Sequence, residues 1–313
     1  MQTILGSGGA IGTYLAKELY KYTKNIRLVS RNPKAINPSD HIFPADLTDP
    51  EQVNKAIEGS DIVYVVIGFE YKTKIWRETW PKFMDSVISA CKKNNAKLVF
   101  FDNVYAYDPD YLKGMTEETP LRPISKKGQV RKELIERILT EIKAGQLNAM
   151  IVRAPDFLSS HNSVLYETAI KNMKKGKSAL WLGDPDKIHN FIYTPDAAKA
   201  TALLGNTEEA YNQIWHLPTD QTPYTGRQWV EMMGDIIGTK PKIKAVKGYM
   251  LGLLGLFKPE MKELKEMNYQ FERDYLFDSS KFEKKFKIKP TPAKEALETV
   301  IRRKKVESSQ IHT

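Results

Sequence analysis

The stretch that decides the fold is Gln2-Thr-Ile-Leu5 followed by Gly6-Ser-Gly-Gly-Ala-Ile-Gly12. The first four residues are typical of a short buried strand, and an amphipathic stretch over Ile11–Tyr22 continues the chain as a helix. Glycines at this junction permit a tight turn, let backbone N–H groups approach a pyrophosphate, and allow the helix to pack on the strand. The stretch therefore predicts a dinucleotide-binding strand–loop–helix unit.

The same alternation of strand and helix patterns continues to Pro155 and predicts a doubly wound parallel sheet, the Rossmann type of α/β fold. The predicted strands are Gln2–Leu5, Ile26–Ser30, His41–Phe43, Ile62–Ile67, Lys97–Phe101 and Ala149–Val152. The predicted helices are Ile11–Tyr22, Pro50–Glu58, Ile75–Lys93 and Lys126–Lys143. Residues 1–155 are accordingly interpreted as the dinucleotide-binding domain.

After Pro155 the strands become short and prolines cluster, which indicates a different architecture. Residues 156–313 are interpreted as a smaller α+β domain on the substrate side, partly interleaved with the first. Its predicted helices are Val164–Met173, Asp196–Leu204, Arg227–Ile237 and Pro292–Arg303, and its predicted strands are Ala179–Leu182, Asn190–Tyr193 and Ile214–Leu217. The polar tail Val306–Thr313 is expected to fray.

Composition excludes several classes of protein. A chain of 313 residues with 41% hydrophobic residues can bury a core without disulfides or structural metal. Its single cysteine, Cys91, excludes an intramolecular disulfide and any CxxC site, and a reducing, cytoplasmic location is expected. The apolar stretch Tyr249–Phe257 is too short to span a membrane; it is interpreted as a lid helix over the substrate, with membrane-surface contact as the alternative.

Most of the formal net charge of +10 lies near the C-terminus, where 18 Lys+Arg stand against 10 Asp+Glu from Lys240 onward. Because these lysines alternate with glutamates at helical spacing, the segment is interpreted as a solvated helix surface. It has no interleaved aromatic platform and no recognition-helix pattern, so nucleic acid is not an expected partner. The five histidines have no metal-ligand spacing, and no metal site is predicted.

The end of the second strand indicates which dinucleotide is bound. A carboxylate at that position would accept hydrogen bonds from the adenosine ribose, as in NAD binders. This chain has Ser30 and Arg31 there, with Lys34 nearby. Because a guanidinium and a hydroxyl can hold a 2′-phosphate, NADP(H) is the predicted cofactor.

Further cofactor contacts follow from topology, since ligands bind at the carboxyl ends of parallel strands. Asp46 and Leu47, after the third strand, are predicted to reach the adenine, and Ile67 with Gly68, after the fourth, to pass beside the ribose and pyrophosphate. The predicted cofactor-binding set is Gly6, Ser7, Gly9, Ala10, Ile11, Gly12, Ser30, Arg31, Asp46, Leu47, Ile67, Gly68, Lys127 and Pro155.

Several motifs together resemble the short-chain dehydrogenase/reductase superfamily, in particular its extended and atypical branches with the epimerase/dehydratase-like proteins. The motifs are GSGGAIG, FPADL, IVYVVIG, FFDNVYAY, HNFIYTPDAAKA and PTPAKEAL. The resemblance covers nearly the whole chain and is most specific before Pro155. It implies a Rossmann fold, a nicotinamide dinucleotide, and a catalytic Ser/Thr with a YxxxK pair.

This sequence departs from that catalytic signature at each position. The fifth strand ends Phe101-Asp-Asn103-Val-Tyr105 without Ser or Thr, and the YxxxK positions are occupied by Lys127 and Arg131. The segment is similar to the KxxxR helix of the isoflavone-reductase-like branch, and that resemblance implies that Lys127 is the general base or the nicotinamide-ribose ligand. A guanidinium one turn away and partial burial are expected to lower the pKa of Lys127. Asn103 and Tyr105 are candidates for polarising a substrate carbonyl.

Beyond these, the loop after Pro155 is expected to face the nicotinamide, and five aromatic residues are candidate pocket lining, with core packing as the alternative. They are His161, Tyr166, Trp181, His189 and Tyr193. The leading functional prediction is an NADP(H)-dependent oxidoreductase acting on a small carbonyl, alcohol or activated double bond. The alternatives are a non-catalytic NADP-binding sensor and a nucleotide-sugar epimerase or dehydratase. The expected partner is a small-molecule substrate, and a homodimer is compatible with the sequence.

Overall fold

A computed structural model describes residues 1–255 and 259–302. Its central element is a parallel sheet of seven strands in the order β10-β6-β5-β4-β1-β2-β3. This order reverses between β1 and β4, so the crevice for a ligand lies at the carboxyl ends of these neighbouring strands. The strands of this sheet are β1 Gln2–Leu5, β2 Ile26–Ser30, β3 His41–Pro44, β4 Ile62–Val65, β5 Lys97–Asp102, β6 Ala149–Arg153 and β10 Ile214–His216.

Helices cover both faces of the sheet, and the predicted α/β class is confirmed. Helix α4 has the predicted bounds because its start is set locally: Ser125 accepts a hydrogen bond from the Gly128 N–H. Asp49 caps α2 in the same way, with Pro50 in the first turn. The helices are α1 Gly12–Leu19, α2 Pro50–Ile57, α3 Thr73–Asn94, α4 Lys126–Lys143, α5 Lys171–Met173, α6 Thr194–Gly205, α7 Gly226–Ile237, α8 Gly248–Leu254, α9 Pro259–Met267, α10 Ser280–Phe286 and α11 Ala293–Arg302.

Strand β4 is shorter than predicted, and the difference matters for the site. Its parallel partners β1 and β5 pair with it only as far as Val65. Val66 still donates its N–H to the Leu5 carbonyl, and Val66, Ile67 and Gly68 line cavities at the edge of the sheet. The apolar run therefore continues past the end of the strand, where its side chains are only partly buried.

The chain after residue 155 is interleaved with the first unit. Strand β10 pairs with β6 as the seventh strand of the main sheet, and α6 packs against α1. Two small parallel pairs complete the described part, β7 with β9 and β8 with β11. Their strands are β7 Asp156–Leu158, β8 Ala179–Leu182, β9 Phe191–Tyr193 and β11 Ile243–Val246.

The predicted helix over Val164–Met173 has the predicted bounds, but its middle is not a regular α-helix. A π-helical turn spans Tyr166–Ile170 and is followed by the short α5. No helix of residues 1–255 and 259–302 is long and apolar enough to cross a membrane. Part of the predicted lid, residues 256–257, and the polar tail lie outside the described residues.

Candidate active site

The glycine loop forms the floor of the ligand crevice. Gly6 has φ +99°, and a Cβ there would lie 2.5 Å from the Ile67 Cα. At Gly12 a Cβ would lie 2.5 Å from the Gly6 carbonyl oxygen. Helix α1 begins after Ile11 without a side-chain cap, and the N-terminal end of a helix favours an anion. The loop thus fits a dinucleotide pyrophosphate, as its spacing predicts.

A first cavity of about 760 Å³ lies at the carboxyl ends of β1, β2 and β3. Its wall includes Ser30 and the exposed Arg31. Asp46 also lines it, and hydrogen bonds from the Thr48 N–H and hydroxyl lower the pKa of that carboxyl group, with a smaller effect from Arg31. The predicted residues that line this cavity are Gly6, Gly9, Ser30, Arg31, Asp46, Leu47, Ile67 and Gly68.

A second cavity of about 580 Å³ adjoins the first. The two share Gly9, Ile67, Gly68 and Phe69 in their walls. The predicted residues that line the second cavity are Gly9, Ala10, Ile11, Ile67, Gly68, Asn103, Tyr105 and Pro155. Because the two cavities share these walls, they form one groove with two parts, which suits a ligand with two halves such as a dinucleotide.

Two tyrosine hydroxyls meet in the second cavity. The Tyr71 hydroxyl donates to the Tyr105 oxygen across 3.2 Å, so the Tyr105 proton is free to donate to a ligand. Asn103 fixes the backbone here, because its Oδ1 accepts from the Tyr105 N–H at 3.0 Å. Burial, and then the negative charge of Asp156, raise the pKa of Tyr105, so this phenol stays neutral and acts as a donor.

Asp156 brings a carboxylate to the lining of the same cavity. It lies on β7, and its Oδ2 is 2.9 Å from Nε2 of His189. The His189 ring is stacked between Phe271 and Tyr275, with both centroid distances at 4.3 Å. The Asp156 side chain is 22% exposed while that of His189 is 2% exposed. Asp156 therefore lines the cavity, and the buried His189 fixes its carboxylate through this hydrogen bond.

A second carboxylate, Asp102, is fully engaged. Its Oδ1 accepts from Arg131 at 2.7 Å and its Oδ2 from Arg153 at 3.0 Å. The Arg131 guanidinium lies 4.6 Å from the ring centres of Trp80 and Phe100. Both oxygens of Asp102 are therefore occupied by cations, and this group organises the wall of the cavity.

Lys127 does not line either cavity in the described part of the chain. Its side chain is 0% exposed, and its Nζ forms ion pairs with Glu263 and Glu266 of α9. A hydrogen bond to Thr73 Oγ1, 3.2 Å long, completes this cluster. The sequence predicts the Arg131 guanidinium as a neighbour of Lys127. In the structure Arg131 pairs with Asp102 instead, and carboxylates surround the Lys127 ammonium.

The carboxylates of Glu263 and Glu266 are held as anions. Burial is the largest single effect and opposes their ionisation, but the hydrogen bonds from Lys127 and Thr73 and the charge of Lys127 together outweigh it and lower the pKa of both groups. Glu266 also accepts from the N–H groups of Lys126 and Lys127 at the start of α4. Leu264, between them in the sequence, lines the second cavity. Lys127 thus anchors α9 over this cavity.

Ser7 and Gly12 also lie outside the lining of both cavities. Gly12 permits the contact between α1 and the loop, and the Ser7 hydroxyl is buried with no hydrogen-bond partner in the described residues. Of the five aromatic candidates after Pro155, none lines either cavity within the described residues, although His189 contacts Asp156. Sequence reasoning missed Asp156 itself, whose signal was an acidic residue directly after Pro155.

Comparison with solved structures shows that the whole fold is shared with known enzymes. UDP-glucose 4-epimerase of Thermus thermophilus, in complex with NAD, matches with a TM-score of 0.76 and 15% identity over 96% of this chain and 98% of that one. A double mutant of the dTDP-glucose 4,6-dehydratase DesIV of Streptomyces venezuelae, with NAD bound, matches with a TM-score of 0.77 and 14% identity over 96% of both chains. At these identities the likeness establishes the fold.

A further epimerase, the UDP-glucose 4-epimerase of Thermotoga maritima, matches with a TM-score of 0.74 and 16% identity, covering 96% of this chain and 97% of that one. No functionally curated protein matches the chain in sequence. The family model described as NAD dependent epimerase/dehydratase matches residues 3–215, which include the glycine loop and nearly all of the main sheet. The chain therefore belongs to the NAD dependent epimerase/dehydratase family.

Proposed function

We propose that this protein binds a nicotinamide dinucleotide along both cavities and uses it to oxidise and reduce a hydroxyl-bearing carbon of a substrate in the second cavity. The observation that carries this proposal is the continuous groove, with the glycine loop at its centre and polar groups at one end. The adenosine half would be held by Arg31 and Asp46, and the nicotinamide half by the walls near Asn103 and Pro155. When bound, the dinucleotide supplies a hydride acceptor or donor.

The residues of the second cavity can manage the proton that accompanies the hydride. The Asp156 carboxylate, turned toward the cavity, would accept the proton from a substrate hydroxyl as the carbon–hydrogen bond breaks. The Tyr105 hydroxyl, whose oxygen accepts from Tyr71, would donate to the resulting carbonyl oxygen. In the superfamily that this sequence resembles, a tyrosine–lysine pair handles this proton. Asp156 and Tyr105 would have that role here.

Asp156 favours an epimerase- or dehydratase-type reaction, in which the cofactor is oxidised and reduced within one cycle. Such a reaction must first remove a proton from a sugar hydroxyl, and Asp156 would supply the missing base. The structural neighbours bear the names of enzymes that act on UDP- and dTDP-sugars. A nucleotide sugar is therefore the substrate class that we propose to test first.

The test is to incubate the protein, loaded with each cofactor in turn, with UDP-glucose and dTDP-glucose and to analyse the products. An epimerised or dehydrated sugar without net change in nicotinamide absorbance would support the proposal. Net consumption of reduced cofactor on a simple ketone would instead support the second candidate, a free-standing NADP(H)-dependent oxidoreductase. Absence of cofactor binding would contradict both.

The cofactor is proposed to be NADP(H), because Ser30 and Arg31 occupy the place where a carboxylate would hold the ribose of NAD. Replacing Arg31 with alanine is expected to weaken NADPH binding at least about tenfold, since a charge-assisted contact to a phosphate is lost. NADH, which lacks that phosphate, should bind as before. Calorimetric titrations of both cofactors measure the two affinities.

Arg227→Ala is the matched control for this experiment, because it removes an exposed arginine on α7 that pairs with Asp186. It should leave both affinities unchanged. Equal losses of NADPH and NADH in the Arg31 variant would contradict the proposed contact with the 2′-phosphate.

A further inference from the structure

The charged side chains that line the second cavity are not all paired with a group of opposite charge. Its titratable lining residues in the described chain are Tyr71, Asp102, Tyr105, Arg131, Asp156 and Tyr275. The three phenols are neutral at physiological pH because burial raises the pKa of each. Asp102 and Arg131 form a buried ion pair, to which Arg153 is joined behind the wall. Asp156 is therefore the carboxylate that faces this space without an arginine partner.

The position of Asp156 is fixed by its surroundings. Its partner His189 cannot turn, because two aromatic rings stack on its faces and its backbone is bonded on both sides: the His189 N–H donates to Tyr224, and Trp229 donates to the His189 carbonyl at 2.9 Å. A hydrogen bond from Nε2 then holds the carboxylate at the cavity wall. Such a fixed charge interacts strongly with a charge that develops nearby, since the protein need not reorganise.

We infer that Asp156, positioned by His189, makes this protein bind the oxidised form of its cofactor in preference to the reduced form. This inference rests on the proposed function, which places the nicotinamide half in the second cavity. The nicotinamide ring is cationic when oxidised and neutral when reduced, while the rest of the molecule is identical in both forms. A carboxylate in the same cavity therefore stabilises the oxidised form selectively.

This preference has a functional consequence. An enzyme that begins its cycle by oxidising a hydroxyl group must hold oxidised cofactor before the substrate arrives. The charge of Asp156 would keep that form bound, and uptake of the hydroxyl proton by the carboxylate would remove this preference at the moment when the cofactor receives the hydride and loses its own charge. The same residue would thus couple the charge of the cofactor to the proton of the substrate.

The experiment compares affinities for the oxidised and reduced forms of whichever dinucleotide the wild-type protein binds more tightly. Asp156→Asn should weaken binding of the oxidised form about tenfold while changing that of the reduced form less than about twofold, because one charge–charge interaction is lost. A folding defect or a weaker contact with the pyrophosphate would change both affinities by the same factor. The ratio of the two affinities would therefore stay the same. Asp235→Asn, at an exposed position on α7, is the control and should leave the ratio unchanged.

The role of His189 is tested by the same ratio. His189→Gln keeps an N–H donor and should preserve the ratio within about twofold, whereas His189→Phe removes the donor and should lower it. Equal shifts of both forms in Asp156→Asn, or no shift in either, would overturn the inference while leaving the proposed function intact. A wild-type protein that binds neither form of any nicotinamide dinucleotide would overturn the proposed function, and the inference with it.

Discussion

Replacement of Asp102 by asparagine is expected to lower the free energy of unfolding by about 3–5 kcal/mol, because it leaves two buried guanidinium groups without their anion. Asp102 is 1% exposed, and Arg131 and Arg153 are 3% and 0% exposed. The aromatic rings around Arg131 cannot replace a carboxylate. An asparagine amide would also direct a donor toward one guanidinium, where the native residue offers only acceptors.

Urea-induced unfolding followed by circular dichroism measures this loss. Asp186→Asn is the matched control, since Asp186 also pairs with an arginine, Arg227, but on the surface, where the two side chains are 63% and 48% exposed. Exposed pairs of this kind contribute little, so the control should unfold with the wild-type midpoint. Equal midpoints for the two variants would show that the buried pairs contribute no more than the exposed one. An Asp102 variant already unfolded in buffer would agree with the prediction.

Replacement of Lys127 by methionine is expected to lower the free energy of unfolding by about 2–4 kcal/mol, because Glu263 and Glu266 lose the cation between them. Methionine fills a similar volume without charge. The loss should be concentrated in α9, whose amide hydrogens should exchange faster with solvent. Hydrogen exchange and urea unfolding measure the local and the global effect.

A triple variant separates the anchoring role of Lys127 from proton transfer. Lys127→Met combined with Glu263→Gln and Glu266→Gln removes all three charges, so protection of α9 should recover in large part. A general base cannot be restored in this way. Turnover that remains absent in the triple variant, despite restored protection of α9, would therefore support the catalytic role that the resemblance implies for Lys127. Recovered turnover would identify Lys127 as an anchor alone.

The same cluster predicts a dependence on pH. Because the folded-state pKa values of Glu263 and Glu266 are below their ordinary values, the anchor contributes stability above about pH 4.5 and loses it as the pH falls through the folded-state values. Stability of the wild type relative to the triple variant should therefore decline on acidification. A constant difference across that range would contradict the ionised state of these carboxylates.

The sequence by itself determined the parallel sheet, the bounds of α4 and the place of the glycine loop. These features depend on interactions between residues close in the chain: the alternation of apolar runs, the Ser125 cap, and the turn that Gly6 makes before α1. Local interactions of this kind leave a readable pattern in the order of residues. The groove along the glycine loop follows from them, because parallel strands place their carboxyl ends together.

Only the tertiary structure decided which charged residues meet. Lys127 pairs with Glu263 and Glu266, which lie 136 and 139 residues later, and Asp156 pairs with His189, 33 residues away. No periodicity joins such positions, because an ion pair depends on how separate elements pack rather than on spacing along one of them. The lysine that the sequence places beside the cofactor is therefore bound by α9, while the carboxylate directly after Pro155 faces the cavity.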